Sequence, residues 1–205
     1  GRIPSQRDFE QPEAIALGGL HPASTTKVAD VTLLRALGLP GVKFQPRFQQ
    51  YDADSEEAIE LYKLIQKDFI CVFHSGQEFP PMDPLPSEPR KLRHILDEAP
   101  ELVMVAAHTG GYQRWDDVER YLVGTACYFE LSFSIGDMPD SRLVELLRAH
   151  GMDRVLFGTD WPLRNQRDYL ARFMELPLTP DERDAVLWHN AVHLFSEVVK
   201  ARKAL

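Results

Sequence analysis

The feature that most constrains the fold is a series of six short apolar segments, spaced at intervals of about 25 to 33 residues. Most of these segments are continuously apolar rather than alternating, which is typical of parallel strands that are covered on both faces. They read AIALGGL at 14–20, GVKF at 41–44, ICVF at 70–73, LVMVAA at 102–107, CYFELSF at 127–133 and RVLF at 154–157. The series predicts six parallel β-strands.

Amphipathic stretches with helix start signals lie between the apolar segments. Asp54 with Glu57 predicts a capping box ahead of one helix, and Thr179, Pro180 and Glu182 predict another that begins at about residue 180. A strand followed by a helix, repeated along the chain, is a βα series. Such a series forms either an open doubly wound sheet or a closed barrel. The phosphate-binding loop patterns that accompany many open sheets are absent from the sequence.

Composition limits the class of protein and its partners. The 205 residues suffice for one sizeable core and contain no obvious linker, so residues 1–205 are expected to form a single domain. Acidic residues outnumber basic ones by 31 to 23, and no basic cluster occurs, which argues against a nucleic-acid partner. No apolar run approaches the roughly 20 residues needed to cross a membrane. Cys71 and Cys127 lie in apolar segments, which favours reduced thiols and a cytoplasmic location.

Three polar residues stand at the carboxyl ends of predicted strands. His74 follows the third segment, His108 the fourth and Asp160 the sixth. A single histidine in this position is more often a hydrogen-bonded loop residue, and Gly-Thr-Asp is common turn chemistry. Three such groups at equivalent strand ends favour metal binding or acid/base chemistry, because parallel strands bring these ends together. Imidazole and carboxylate suit zinc and similar divalent ions, although the spacing does not determine the metal.

Several further residues are candidates with two open interpretations each. Arg47 could bind a substrate carboxylate through its planar guanidinium or form a surface salt bridge. Trp161 could form a pocket wall or pack beneath its own loop. Lys43 lies within an apolar segment and could face the barrel interior or extend outward to solvent. Glu130, also within an apolar segment, could face the interior, and His21 ends the first segment but precedes a proline. Solvent-facing or capping roles are expected for the histidines of predicted helices, namely His94, His150, His189 and His193.

The order of several short motifs resembles the amidohydrolase superfamily, in particular its group of metal-dependent hydrolases and nonoxidative decarboxylases of aromatic or unsaturated acids. The resembling segments are GLHP at 19–22, GVKFQPRFQQYD at 41–52, VFHSG at 72–76, AHTGG at 107–111, LFGTDWP at 156–162 and NAVHLF at 190–195. The resemblance implies an α/β fold, a distorted (β/α)8 barrel of TIM type. The six segments would then be strands three to eight.

The resemblance also implies a metal site. His74 on strand five and Asp160 on strand eight would be metal ligands, and His108 on strand six would be a ligand in binuclear members or the acid/base residue in mononuclear ones. The expected cofactor is a divalent metal ion, with zinc as the first expectation. The family's His-x-His pair on strand one is missing, since no histidine precedes His21.

Three explanations fit the missing pair: strands one and two lie upstream of Gly1, the protein is a metal-free relative, or the barrel is degenerate. The first is favoured because a (β/α)8 barrel usually has about 250 residues.

The implied function is a metal-dependent hydrolase that acts on a small carboxylated or cyclic substrate, such as a lactone, amide or ester. Asp160 and His108 would be catalytic, and Arg47 and Trp161 would bind the substrate. The alternative is a nonoxidative metal-dependent decarboxylase in which His108 promotes proton delivery to carbon. A second alternative is a barrel that binds a metabolite without turnover. The expected partner is a small-molecule substrate, and the sequence leaves open whether the protein forms a homo-oligomer.

Overall fold

Five of the six predicted segments form strands of one parallel sheet. The computed structural model describes residues 14–203. The strands pair in the order β1-β2-β3-β4-β5, and every pair is parallel. Their bounds are β1 Gly41–Phe44, β2 Ile70–Phe73, β3 Val103–Ala106, β4 Tyr128–Glu130 and β5 Val155–Leu156. The carboxyl ends of all five strands therefore lie along one edge of the sheet.

The first predicted strand is reduced to a single bridge. Gly18 pairs with Val42 in parallel, its N–H donates to the carbonyl of Gly41 at 2.9 Å, and its carbonyl accepts from Lys43 N at 2.9 Å. The segment contains two adjacent glycines, Gly18 and Gly19, which contribute no side chain to packing and weaken a strand. This segment therefore extends the sheet beyond β1 without forming a full strand.

Helices connect the strands, and most of them cover one face of the sheet. Their bounds are α1 Lys27–Ala36, α2 Pro46–Gln49, α3 Glu56–Ile65, α4 Pro89–Glu98, α5 Trp115–Tyr121, α6 Asp140–His150, α7 Gln166–Glu175, α8 Pro180–Asp184 and α9 Asn190–Lys203. A 3-10 turn at Met152–Arg154 precedes β5, and a π turn at Ala185–His189 joins α8 to α9.

The predicted helix starts are right in one case and displaced by one residue in the other. The Thr179 capping box is confirmed: its hydroxyl accepts from Glu182 N, and the Glu182 carboxylate accepts from Thr179 N. Asp54 is wrong as the cap of α3, since Ser55 is the N-cap and accepts from Ala58 N. The Asp54 carboxylate instead lies 3.1 Å from His94 Nδ1.

The two faces of the sheet have different cores. Alternate strand residues such as Phe44, Phe73 and Phe129 point outward and are completely buried against the helices. The opposite, inner face carries Ile70, Val105 and Leu156, and helix α9 packs against it through Leu194 and Val198. Strands in consecutive order, with connecting helices on one face, form the wall of a TIM-type barrel rather than a doubly wound sheet, whose strand order reverses.

Both cysteines are buried free thiols, as predicted. In the part of the chain that the structure describes, no helix has the length and hydropathy required to cross a membrane.

Candidate active site

Two of the predicted site residues are in direct contact at the carboxyl edge of the sheet. His74 immediately follows β2 and His108 follows β3, and His74 Nδ1 lies 3.1 Å from His108 Nε2. The two rings meet edge to face, with centroids 5.0 Å apart. After β3 the backbone adopts left-handed φ angles at His108 and Thr109, 58° and 51°. Non-glycine residues adopt this conformation rarely and at a cost, most often at functional sites.

A buried carboxylate and a hydroxyl support His108 from the side opposite His74. His108 Nδ1 lies 2.8 Å from Ser132 Oγ and 3.3 Å from the Ser132 carbonyl. Ser132 Oγ in turn donates to Glu130 Oε2 at 2.6 Å, and Ser132 N donates to Glu130 Oε1 at 2.9 Å. Glu130 therefore faces the inner side of the sheet, the orientation that the sequence suggested.

His74 faces a second carboxylate, that of Glu78. His74 Nε2 and Glu78 Oε1 lie 3.3 Å apart, and both atoms are buried without a hydrogen-bond partner among the described residues. The distance is that of an ion pair, but burial and the nearby His108 and Lys43 lower the pKa of His74 to about 3. Burial also raises the pKa of Glu78. At neutral pH the imidazole is therefore uncharged, and the contact is not an ion pair.

Lys43 points to the inner side, and its amine belongs to the same site. Burial lowers the pKa of Lys43, while the charges of Glu130, Asp160 and Glu78 act to raise it. Lys43 also contributes to lowering the pKa of His108, to about 4, although burial is the larger cause. Both histidines are thus neutral beside the Lys43 amine.

Asp160 and the two predicted substrate-binding residues lie around this group without touching the histidines. Asp160 follows β5, adopts a left-handed φ of 52°, and accepts from Leu163 N through its carbonyl. Its side chain is exposed, and its charge acts on Lys43. Trp161 is 67% exposed. Arg47 donates to Met82 Sδ, and its charge lowers the pKa of Glu78 against the larger effect of burial.

His21 has a structural role. Its Nε2 bonds to the Gln49 carbonyl at 2.7 Å and its Nδ1 accepts from Ala23 N at 3.1 Å. One ring nitrogen is therefore engaged by the end of α2 and the other by the loop that precedes α1.

Sequence reasoning missed Glu78 and Ser132. Ser132 lies two residues beyond Glu130, so strand alternation could have placed both side chains on one face. Glu78 gave no such signal, because its approach to His74 depends on a turn at Gly76, whose φ is 97°.

The donor types fit a divalent metal ion, although the described residues do not complete a site. His74 Nε2 is a buried nitrogen with no hydrogen-bond partner, and Asp160 offers an accessible carboxylate, both suitable for such an ion. Between residues 14 and 203, however, no three His, Cys, Asp or Glu side chains are arranged closely enough to hold a metal. His74, Asp160 and His108 therefore do not form a three-ligand cluster by themselves.

Comparison with known proteins places this site in a family context. A gamma-resorcylate decarboxylase of Polaromonas is 26% identical over 118 residues, which cover 49% of this chain and 36% of that protein. A TIM-barrel protein of Bordetella bronchiseptica matches with a TM-score of 0.76 and 20% identity, over 90% of this chain and 67% of the other. A 5-carboxyvanillate decarboxylase of Novosphingobium aromaticivorans, solved with manganese, matches with a TM-score of 0.68 and 16% identity, over 89% and 64%.

The matched region thus spans about a third of the curated relative and about two thirds of the structural neighbours. The structural matches agree with the strand order in assigning a TIM-type α/β fold. The family-level match extends further along the chain, from residue 11 to residue 196, and takes in every strand and both histidine-bearing strand ends. The protein therefore belongs to the Amidohydro_2 family of amidohydrolases.

Proposed function

We propose that the protein catalyses the metal-dependent, nonoxidative decarboxylation of a small aromatic acid. The observation that carries the proposal is the surroundings of His108, which lies between a second imidazole and two aromatic rings. The ring centroids of Tyr112 and Phe133 are 6.3 and 5.6 Å from that of His108. Such walls suit a flat apolar ring presented to imidazole groups. The decarboxylases named above support this choice over the hydrolase expected first.

The reaction replaces a carboxylate with a proton: the ring carbon gains a proton, its bond to the carboxylate carbon breaks, and carbon dioxide leaves. One group must therefore deliver a proton to carbon. We assign the promotion of this proton delivery to His108, whose Nε2 lone pair lies at the carboxyl edge beside the aromatic wall and would accept and pass on the proton. Asp160 is the second proton-transfer candidate because its carboxylate is accessible at the same edge.

Charged residues at the site would bind the substrate and the ion. Lys43, whose charge acts on Glu78 and Glu130, would attract the substrate carboxylate in its protonated form. Arg47, whose charge lowers the pKa of Glu78, is a second candidate for binding the substrate carboxylate. The exposed Trp161 would border the entrance to the site. A divalent ion would orient substrate oxygens and stabilise negative charge. His74 and Asp160 would hold the ion together with ligands from other residues. Manganese is a candidate beside zinc, because the 5-carboxyvanillate decarboxylase structure contains it.

The test is the fate of a labelled carboxyl group in the native protein. The protein, loaded with manganese or zinc, is mixed in D2O with carboxyl-13C gamma-resorcylate or 5-carboxyvanillate, and the products are followed by NMR. Decarboxylation predicts one labelled carbon dioxide per product and one deuterium on the carbon that lost it. A parallel panel of lactones, esters and amides in 18O water tests the hydrolase alternative, since hydrolysis leaves the solvent oxygen in the product. Hydrolysis without carbon dioxide release, or binding without turnover, would contradict the proposal.

A further inference from the structure

A directional chain of hydrogen bonds links Glu130 to His74. The bonds run from Glu130 through the Ser132 hydroxyl to His108 and then to His74, with successive distances of 2.6, 2.8 and 3.1 Å. The position of the proton on the His108 imidazole can be worked out from the donor capacities of its partners. It shows which ring nitrogen of His108 has an available electron pair.

His108 is protonated at Nδ1. The Ser132 hydroxyl has one hydrogen and donates it to Glu130, so toward His108 it can only accept. The Ser132 carbonyl, which is also within 3.3 Å of Nδ1, can likewise only accept. Both partners therefore require a hydrogen on Nδ1, and in the neutral ring this leaves a lone pair on Nε2.

His108 Nε2 turns this lone pair toward His74 Nδ1, 3.1 Å away at the carboxyl edge of the sheet. This lone pair is the position at which His108 can accept a proton or bind a cation.

Glu130 is held where it can start this chain. It accepts from the backbone N–H groups of Ser132 and His108, at 2.9 and 3.4 Å, in addition to the Ser132 hydroxyl. Its carboxylate also packs against Gly158, and a Cβ at that position would overlap it. Gly158 thus provides the space that Glu130 occupies, only two residues before Asp160.

We propose that Glu130 and Ser132 are positioning residues that fix the tautomer of His108, so that its Nε2 presents a lone pair at the carboxyl edge of the sheet. Metal-binding histidines usually donate their other N–H to a fixed acceptor, and loss of that support commonly reduces affinity or activity about 10- to 100-fold. The part of this inference that concerns catalysis rests on the proposed function, whereas the tautomer does not depend on it.

The experiment measures the tautomer of His108 directly in the metal-free native protein at pH 7.5. Long-range 1H–15N spectra of 15N-histidine-labelled protein distinguish a protonated from an unprotonated ring nitrogen, and His74→Gln and His108→Gln assign the signals. The His108 ring should show Nδ1–H. In Glu130→Gln, the amide can donate to Ser132 Oγ, whose hydroxyl then turns to His108, so the His108 signal should shift toward Nε2–H. An Nε2–H form of His108 in the wild type, or an unchanged signal in folded Glu130→Gln, would overturn the proposal.

Two further variants keep the test decisive if Glu130→Gln does not fold. Ser132→Ala should convert the single His108 tautomer into a mixture and lower kcat about 10- to 100-fold with little change in KM. Ser132→Thr, which keeps the hydroxyl, should restore Nδ1–H. Ser75→Ala is the matched control, because this buried hydroxyl bonds to the Gly110 carbonyl and contacts neither imidazole. A single unchanged tautomer in Ser132→Ala would overturn the proposal, whereas absent decarboxylation with the expected spectra would count only against the proposed function.

Discussion

At the scale of single residues, His150 is a histidine that stabilises the fold by packing and hydrogen bonding. It is 1% exposed and stacks on Phe129 with ring centroids 3.7 Å apart. Its Nε2 donates to the Cys127 carbonyl at 2.8 Å, and its Nδ1 accepts from Gly124 N at 3.3 Å. Burial lowers the pKa of His150 to about 4, since a second proton would be desolvated and would break the bond from Gly124. The solvent-facing or capping role expected for His150 from the sequence is therefore wrong, because the side chain is buried and bonds to the loop that precedes β4.

This shift predicts a loss of stability in mild acid. The unfolded chain, with a histidine pKa of about 6.5, binds more protons than the folded chain between about pH 4 and 6.5. The contribution of the lowered His150 pKa to the unfolding free energy is therefore complete above pH 6.5 and is lost as the pH falls toward 4. His74 and His108 shift in the same direction, so the comparison is with His150→Gln. From pH 7.5 to 5, the unfolding free energy of the wild type should fall by about 2 kcal/mol more than that of the variant, as measured by urea denaturation. Equal losses would contradict this role for His150.

At the scale of elements, the turn after β2 depends on a glycine. Gly76 has a φ of 97°, forms a bridge with Tyr112, and would place a Cβ against the Tyr112 backbone. Gly38 also has a positive φ, 73°, but a Cβ there would meet no atom within 4 Å. Alanine substitutions at the two positions therefore measure two destabilising effects separately. At Gly38 only the backbone conformation is unfavourable, whereas at Gly76 steric overlap adds to it.

We predict that Gly38→Ala destabilises the protein by about 1 to 2 kcal/mol, the cost of a left-handed residue with a side chain. Gly76→Ala should cost about 1 to 3 kcal/mol more, because backbone atoms must move to relieve the overlap. Chemical denaturation of both variants measures the difference. Equal destabilisation would show that the Tyr112 contact does not constrain this turn.

The elements themselves follow closely from local patterns. Continuous apolar runs predicted six strands, of which five form. The threonine, proline and glutamate at 179–182 correctly predicted a helix start, because these signals act over a few residues. The first segment failed to form a full strand because two of its residues are glycines. The cap of α3 moved from Asp54 to Ser55 because both residue types cap helices well, and only the extended backbone at Ser55 decides between them.

At the scale of the whole molecule, parallel topology explains why part of the site could be predicted. His74, His108 and Asp160 stand directly at strand ends, so the order of βα units is enough to bring them to one edge. The contacts of Glu78, Ser132 and Lys43 depend instead on turns and side-chain directions that form only in the folded chain. The substrate and the complete set of ligands are not contained in these local signals.

The most direct test of the catalytic account is Asp160→Asn in the native protein, with turnover and unfolding measured on the same preparation and metal content checked. Asparagine preserves the size of the side chain, and the Asp160 carbonyl that accepts from Leu163 N is unchanged, so the unfolding free energy should change by less than about 1 kcal/mol. The amide lacks the charge and basicity of the carboxylate, so turnover of the aromatic acid should fall about 10²- to 10⁴-fold. Near-normal turnover would show that Asp160 is only a turn residue and would contradict the account.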